Sequence, residues 1–158
     1  MIRYVRGDIF KSRAQTLVNP VNTVGVMGAG LAREFSRHYP GILNRYKEFC
    51  RQGVLKIGTL WVYRSAWDRW VLCFPTKKDW REPSKLEYIE AGLKKLVDTY
   101  EARGITDIAI PKLGCGLGGL SWGDVRPLME KHLSGAGMDI EIYVAGPAES
   151  LKTEACPW

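Results

Sequence analysis

The chain has 158 residues, 46% of them hydrophobic and 25% charged, which predicts one globular domain with a single core. No apolar run approaches the roughly 20 residues that a membrane helix needs, and the first residues form no apolar signal region, so we expect a cytoplasmic protein. The four cysteines (Cys50, Cys73, Cys115 and Cys156) show no Cys-x-x-Cys spacing, which argues against a zinc site. The net charge of +6 is compatible with a polyanionic partner.

The first half of the chain predicts two strands followed by two helices. Alternating apolar and charged residues at 2–6 indicate an edge strand, and a short apolar strand of the buried parallel type follows at 16–21. Apolar residues then recur at helical spacing at about 31–39 and again at 42–51.

Two helix starts in the second half are marked by sequence signals. Ser84 and Glu87 have capping-box spacing before a long apolar helical face. The last helix begins near Ser121 or Asp124, and Pro127 favours the later start because proline is tolerated only in the first turn. The strands of this half are predicted, in chain order, at 59–63, 70–74, 107–110 and 139–145, the first two as a hairpin.

This order of elements indicates an α/β fold in three layers, α/β/α. Strands separated by helices predict βαβ units, and hence a mostly parallel sheet with helices on both faces. The hairpin makes the sheet mixed. Ligands of such sheets bind beyond the carboxyl ends of the strands, so this edge of the sheet is where we expect the site.

Two glycine-rich loops lie at predicted strand ends and precede helices. The first glycine loop (residues 25–30) reads Gly-x-x-Gly-x-Gly, which is neither the dinucleotide fingerprint nor a P-loop; the second glycine loop covers residues 114–119. Because backbone N–H groups and the helix dipole at such turns stabilise anions, we expect the two loops to hold one diphosphate. The alternative is that the glycines are purely structural.

Three polar residues near the first loop each allow two interpretations. The amides of Asn19 and Asn22 suit sugar hydroxyls, or one of them satisfies backbone groups of the loop. Asp8 follows a glycine at a turn, and its side chain either caps this turn or contacts a ligand.

The segment after the fourth predicted strand reads Thr76-Lys77-Lys78-Asp79-Trp80-Arg81. A lysine at a strand end above a cleft neutralises charge or, when desolvated, acts as a nucleophile; the alternative is an ordinary solvated loop. Trp80 between cations is typical of base stacking, or it packs on the helix that starts at Ser84.

These motifs together resemble the macro domain, an ADP-ribose-binding module with a mixed sheet between helices, over nearly the whole chain. The motifs that carry the resemblance are Gly7-Asp8-Ile9, Asn19-Pro20-Val21-Asn22, Gly28-Ala29-Gly30 and Leu113-Gly114-Cys115-Gly116. The resemblance implies a macro domain at 1–146 and a tail, or the start of a linker to a further C-terminal region, at 147–158. Within the macro domains, the stretch from Phe74 to Ser84 is most similar to the branch that contains the antitoxin DarG and the terminal ADP-ribose glycohydrolases.

The function that this resemblance implies is a DNA ADP-ribosyl glycohydrolase. It would remove ADP-ribose from thymidine bases of single-stranded DNA and counteract the toxin DarT, as a monomer without metal or cofactor. The alternatives are an ADP-ribose-binding module without turnover and a deacylase of ADP-ribosylated protein carboxylates.

The resemblance also implies roles for individual residues. Lys77 would be the catalytic lysine, acting electrostatically or as a covalent nucleophile, with Asn22 at the distal ribose and Asp8 and Ile9 at the adenine. The other implied ADP-ribose contacts are Asn19, Val24, Gly25, Val26, Met27, Gly28, Ala29, Gly30, Leu31, Pro75, Thr76, Gly114, Cys115, Gly116, Leu117, Gly118 and Gly119; those to DNA are Lys78, Trp80 and Arg81. The animal glycohydrolases carry an aspartate where this chain has Gly118, so a mechanism that needs this carboxylate cannot operate unchanged.

Overall fold

The computed structural model describes residues 1–145, so the expected tail at 147–158 lies outside the described residues. The strands are β1 Ile2–Arg6, β2 Thr16–Asn22, β3 Trp61–Tyr63, β4 Trp70–Lys77, β5 Asp107–Pro111 and β6 Asp139–Ala145. The α-helices are α1 Gly30–His38, α2 Ile42–Arg51, α3 Leu86–Thr99 and α4 Trp122–Leu133, and single 3₁₀ turns cover Ile9–Lys11 and Gly116–Gly118. None of the helices in this part of the chain is long and apolar enough to cross a membrane.

The six strands form one mixed sheet in the order β1-β6-β5-β2-β4-β3. In this order, the pairs β1–β6, β6–β5, β5–β2 and β2–β4 are all parallel. Strand β3 pairs with β4 in antiparallel register, as the predicted hairpin. The predicted edge position of β1 and the mixed, mostly parallel sheet are therefore confirmed.

The core lies in two layers, one on each face of the sheet. Along β2 the side chains alternate, so that Leu17 and Val21 pack on one face and Val18 packs on the other. On the first face lie α1 and α2, and on the second lie α3 and α4. This arrangement is the three-layer α/β/α sandwich that the order of elements predicts.

The capping box predicted at Ser84 and Glu87 is wrong. Helix α3 begins at Leu86, and its N-cap residue is Lys85, which makes no side-chain capping bond. The Ser84 backbone N–H instead donates to the Gly118 carbonyl over 2.9 Å. Ser84 is thus tied to the second glycine loop rather than to the helix that follows it.

The later start predicted for the last helix is also wrong. Ser121 is the N-cap of α4, and its hydroxyl accepts a hydrogen bond from the Gly123 amide over 3.1 Å. Pro127 therefore lies inside the helix, where its missing N–H leaves the Gly123 carbonyl without its usual partner. Both residues are exposed, so water can satisfy that carbonyl.

Candidate functional site

A cleft of about 980 Å³ opens beyond the carboxyl ends of the parallel strands, between the two glycine loops. The predicted site residues that line it are Asp8, Ile9, Asn22, Val26, Gly28, Ala29, Gly30, Leu31, Thr76, Lys77, Trp80, Gly114, Cys115, Gly116, Leu117 and Gly118. Residues from the first, third and fourth fifths of the chain thus meet at one edge of the sheet.

The approach to the first glycine loop is shaped by the Asn22 side chain. Its Nδ2 donates to the Val26 carbonyl over 2.7 Å, and its Oδ1 accepts from the amides of Val24 (3.1 Å) and Val26 (3.3 Å). The buried Tyr46 hydroxyl donates to the same oxygen over 2.7 Å. Of the two interpretations of the asparagines, the structure shows loop support for Asn22, although the residue also borders the cleft.

The N-terminus of α1 opens directly into the cleft. Its N-cap residue, Ala29, has no side-chain acceptor, so it does not cap the first amides of the helix. Gly30 has a positive φ of 56°, and a Cβ built there would lie 3.0 Å from Leu117 Cδ1. The exposed Leu117 side chain therefore reaches from the second loop to the first, and the N-terminal residues of α1 line the same cleft.

The Lys77 ammonium lies where the second loop meets the end of β4. Its Nζ donates to the carbonyl oxygens of Leu117 (2.9 Å) and Trp80 (3.4 Å). Because β4 extends beyond the predicted strand end, Thr76 and Lys77 belong to the strand and not to a solvated loop. The sheet thus holds the lysine backbone in place while its side chain reaches the cleft.

Asp8 both caps and borders the cleft, so its two interpretations are compatible. Its Oδ1 accepts from the Phe10 amide over 2.9 Å and caps the 3₁₀ turn at Ile9–Lys11. Asp8 is nevertheless among the residues that line the cleft, as is Ile9.

Gly118 is tightly enclosed although its φ is not in the positive region. A Cβ built on it would lie 2.6 Å from the Ser84 hydroxyl oxygen and 3.9 Å from Lys77 Cε. Gly114, at the start of the same loop, differs in that it has a positive φ of 74°. Gly118 is therefore required because a side chain has no room there, whereas Gly114 is also required by its backbone conformation.

Comparison with known proteins identifies the family. Residues 18–129 match the family model described as the Macro domain. The chain belongs to the macro domain family. It is 41% identical to the DNA ADP-ribosyl glycohydrolase of Thermus aquaticus, a match that covers 98% of this chain and 44% of the relative.

Solved macro domain structures superpose closely on this one. The macrodomain of Mycobacterium tuberculosis DarG, 41% identical, superposes with a TM-score of 0.87 over 90% of this chain and 97% of its own. Thermosipho africanus DarTG in complex with ADP-ribose, 37% identical, gives a TM-score of 0.88 over 93% of this chain and 42% of its own. The expected similarity to the DarG branch of macro domains is confirmed.

This macro domain spans less than half the length of the relatives that are named for DNA ADP-ribosyl glycohydrolase activity. The share covered is 44% of the Thermus aquaticus protein, 41% of a Thermosipho africanus fusion protein and 37% of a Mycobacterium tuberculosis protein. The activities in the names of those proteins therefore belong to longer chains.

Several residues expected at the ligand do not line the cleft of this macro domain. Asn19 is fully buried beneath the first loop, where its Nδ2 lies 4.0 Å from the Met27 sulfur. The other expected ADP-ribose contacts that do not line it are Val24, Gly25, Met27, Pro75 and Gly119; of the expected DNA contacts, Lys78 and Arg81 do not line it.

Two of the three residues expected at DNA lie beside the cleft instead. The Lys78 ammonium is 5.6 Å from the Tyr88 ring, and the Arg81 guanidinium is 5.5 Å from the Trp80 ring. Arg81 also pairs with Asp79 over 2.7 Å, and these hydrogen bonds lower the pKa of that carboxyl to about 2. Trp80 itself is 54% exposed and borders the cleft, so its ring is open to a stacking partner.

Sequence reasoning missed one wall of the cleft altogether. This wall is the carboxyl end of β6, Tyr143, Val144 and Ala145, joined by Glu34 and Lys112 from other elements. These residues form no motif. The rule that ligands bind beyond the carboxyl ends of parallel strands, applied to the last predicted strand, would have found the β6 residues.

Proposed function

We propose that this macro domain is a DNA ADP-ribosyl glycohydrolase, which releases ADP-ribose from thymidine bases of single-stranded DNA and so acts as antitoxin to a DarT transferase. The observation that carries the proposal is the Lys77 ammonium, held by the Leu117 carbonyl of the second glycine loop in the cleft that both loops line. Support also comes from relatives of more than 35% identity that are named for this activity.

The cleft suits an extended ligand with a diphosphate at its centre. In the proposal, the amides of the α1 N-terminus and of both glycine loops bind the diphosphate, since such groups stabilise anions. Asp8 Oδ1 is the capping oxygen, which leaves Oδ2 as the acceptor for the adenine amino group. The distal ribose then lies between Asn22 and Lys77.

The reaction breaks the bond between C1″ of the ribose and a nitrogen of thymine. Positive charge develops on the ribose and negative charge on the departing base; water supplies the oxygen that adds to C1″, and its proton balances the base. An ammonium at the departing base stabilises this negative charge in the transition state. Lys77 is suited to that role, because two carbonyl oxygens hold its ammonium at the mouth of the cleft.

The bound DNA strand would extend out of the cleft beside Trp80. A half-exposed aromatic ring with a guanidinium stacked against it provides a platform for a base, and a basic chain attracts the phosphate backbone. Trp80 is thus the contact that would separate a DNA substrate from a protein substrate.

Substrate comparison tests the proposal. The chain is incubated with a single-stranded oligonucleotide that carries ADP-ribose on thymidine, and separately with a protein that carries it on a glutamate carboxylate; free ADP-ribose is measured by chromatography. We expect release from the DNA. Release from the protein alone would make the domain a deacylase, and tight ADP-ribose binding without release from either would make it a binding module.

A further inference from the structure

A single neighbour, Ser84, leaves no room for a side chain at position 118. The φ of Gly118 is not positive, so its backbone conformation is open to other residues. A Cβ there would nevertheless lie 2.6 Å from Ser84 Oγ, and rotation of that hydroxyl would still leave Ser84 Cβ at 3.2 Å. Ser84 therefore occupies the volume that a side chain at 118 would need.

The Ser84 hydroxyl is itself unusual. The residue is 4% exposed, and within residues 1–145 its Oγ has no hydrogen-bond partner. A buried hydroxyl without a partner is unfavourable, and most native structures avoid it. Because the backbone N–H of Ser84 already ties this residue to Gly118, packing alone does not require the hydroxyl.

Ser84 and Lys77 flank the same point of the second loop. The Cβ position of Gly118 lies 3.9 Å from Lys77 Cε and 2.6 Å from Ser84 Oγ. The Gly118 carbonyl accepts from the Ser84 N–H, and the preceding carbonyl, that of Leu117, accepts from Lys77 Nζ over 2.9 Å. Ser84 thus fixes the turn whose neighbouring carbonyl orients the lysine.

We propose that Ser84 is a positioning residue for Lys77. Its backbone and its packing fix the turn at Leu117 and Gly118, and its hydroxyl is the acceptor that the Lys77 ammonium reaches when a bound ligand draws it from the Leu117 carbonyl. This inference rests on the proposed function of Lys77.

Ser84→Ala tests the role of the hydroxyl, because it keeps Cβ and removes only Oγ. We expect kcat on ADP-ribosylated DNA to fall about tenfold, the effect of one lost hydrogen bond, while KM and the ADP-ribose Kd change less than twofold. The matched control is Ser65→Ala, a buried serine outside the cleft whose hydroxyl accepts from the amides of Trp67 and Asp68. The control should lower Tm and leave kcat unchanged. An unchanged kcat in Ser84→Ala would overturn the proposal.

A second set of variants tests, by thermal stability and without a turnover assay, whether Ser84 excludes a side chain from position 118. Gly118→Ala should lower Tm, and the double variant Ser84→Gly/Gly118→Ala should be more stable than the sum of the two single effects predicts, because the clash is gone. Additive losses would show that Ser84 does not exclude the side chain. Absence of turnover in the wild type would refute the proposed function and the positioning role together, whereas the Tm cycle decides the steric claim separately.

Discussion

Asn22 shows how a single side chain can form a loop that glycines alone would leave flexible. It contributes four hydrogen bonds, to the Val26 carbonyl and from the amides of Val24 and Val26 and the hydroxyl of Tyr46. That hydroxyl also donates to the Asn22 carbonyl, and burial raises the pKa of the Tyr46 phenol above its usual range, so it remains a donor at all ordinary pH values. The first glycine loop is therefore held in shape before any ligand arrives.

Asn22→Ala should lower both stability and ligand affinity. Removing the amide leaves the part-buried amides of Val24 and Val26 and the Val26 carbonyl without this partner, which costs about 2 kcal/mol and, for a domain of this size, about 4–8 °C in Tm. The ADP-ribose Kd, measured by calorimetry, should rise at the same time because the loop loses its shape.

The control for this variant is Asn44→Ala, an exposed asparagine on α2. It should change neither Tm nor affinity. A stable Asn22→Ala variant with wild-type affinity would show that the loop does not depend on this network.

The residues of the site were predictable to the extent that they carry a chemical signature. Asp8, Lys77 and most residues of the two glycine loops were expected at the cleft and line it. Tyr143 was not expected there, because an ordinary strand residue gives no local signal of what it borders. Ser84 was misinterpreted because capping-box spacing also occurs by coincidence, and only the tertiary contact with Gly118 reveals it.

At the scale of the elements, helix α3 packs closely on β4, the strand that ends at Lys77. Gly92 on α3 lies against the Phe74 ring, and a Cβ at that glycine would lie 2.2 Å from Phe74 Cζ. Both residues are buried. The helix can approach the strand this closely because Gly92 has no side chain.

Gly92→Ala should therefore destabilise the domain, although alanine is the better helix former. Overpacking against a rigid ring costs about 1–3 kcal/mol, more than the roughly 1 kcal/mol that alanine contributes to a helix over glycine. Thermal denaturation measures the effect. The matched control is Gly135→Ala, where a Cβ meets nothing within 4 Å; equal Tm values for the two variants would contradict this packing argument.

The boundaries of elements were less predictable than their order. The predicted order of strands and helices is confirmed, and the bounds of α2 and β6 agree with the predicted ones. The hairpin strands differ because β4 continues through Thr76 and Lys77, whose polar side chains suggested a loop. Pairing with β2, which extends to Asn22, keeps this segment extended, and such pairing cannot be seen in the local sequence.

At the scale of the whole molecule, the strand order explains why distant segments form one site. Strand β2 lies between β5 and β4, so the first loop, the second loop and Lys77 lie at the carboxyl ends of three adjacent strands, at the same edge of the sheet. The sequence predicted that both loops lie at strand ends, but not that these strands are neighbours. That information resides in the packing of the two core layers.

In the proposed function, Lys77 performs the chemistry while the rest of the cleft binds ADP-ribose. The most direct measurement compares wild type, Lys77→Ala and Lys78→Ala for release of ADP-ribose from thymidine-modified single-stranded DNA, with ADP-ribose affinity measured in parallel. Lys78 is the matched control because it is the adjacent lysine and its ammonium packs over Tyr88, away from the cleft.

We expect Lys77→Ala to reduce release at least about 100-fold, as the loss of electrostatic stabilisation at the reacting centre implies, and to bind ADP-ribose nearly as the wild type does. Lys78→Ala should keep most of its turnover. Normal release by Lys77→Ala, or equal losses in both variants, would contradict the account.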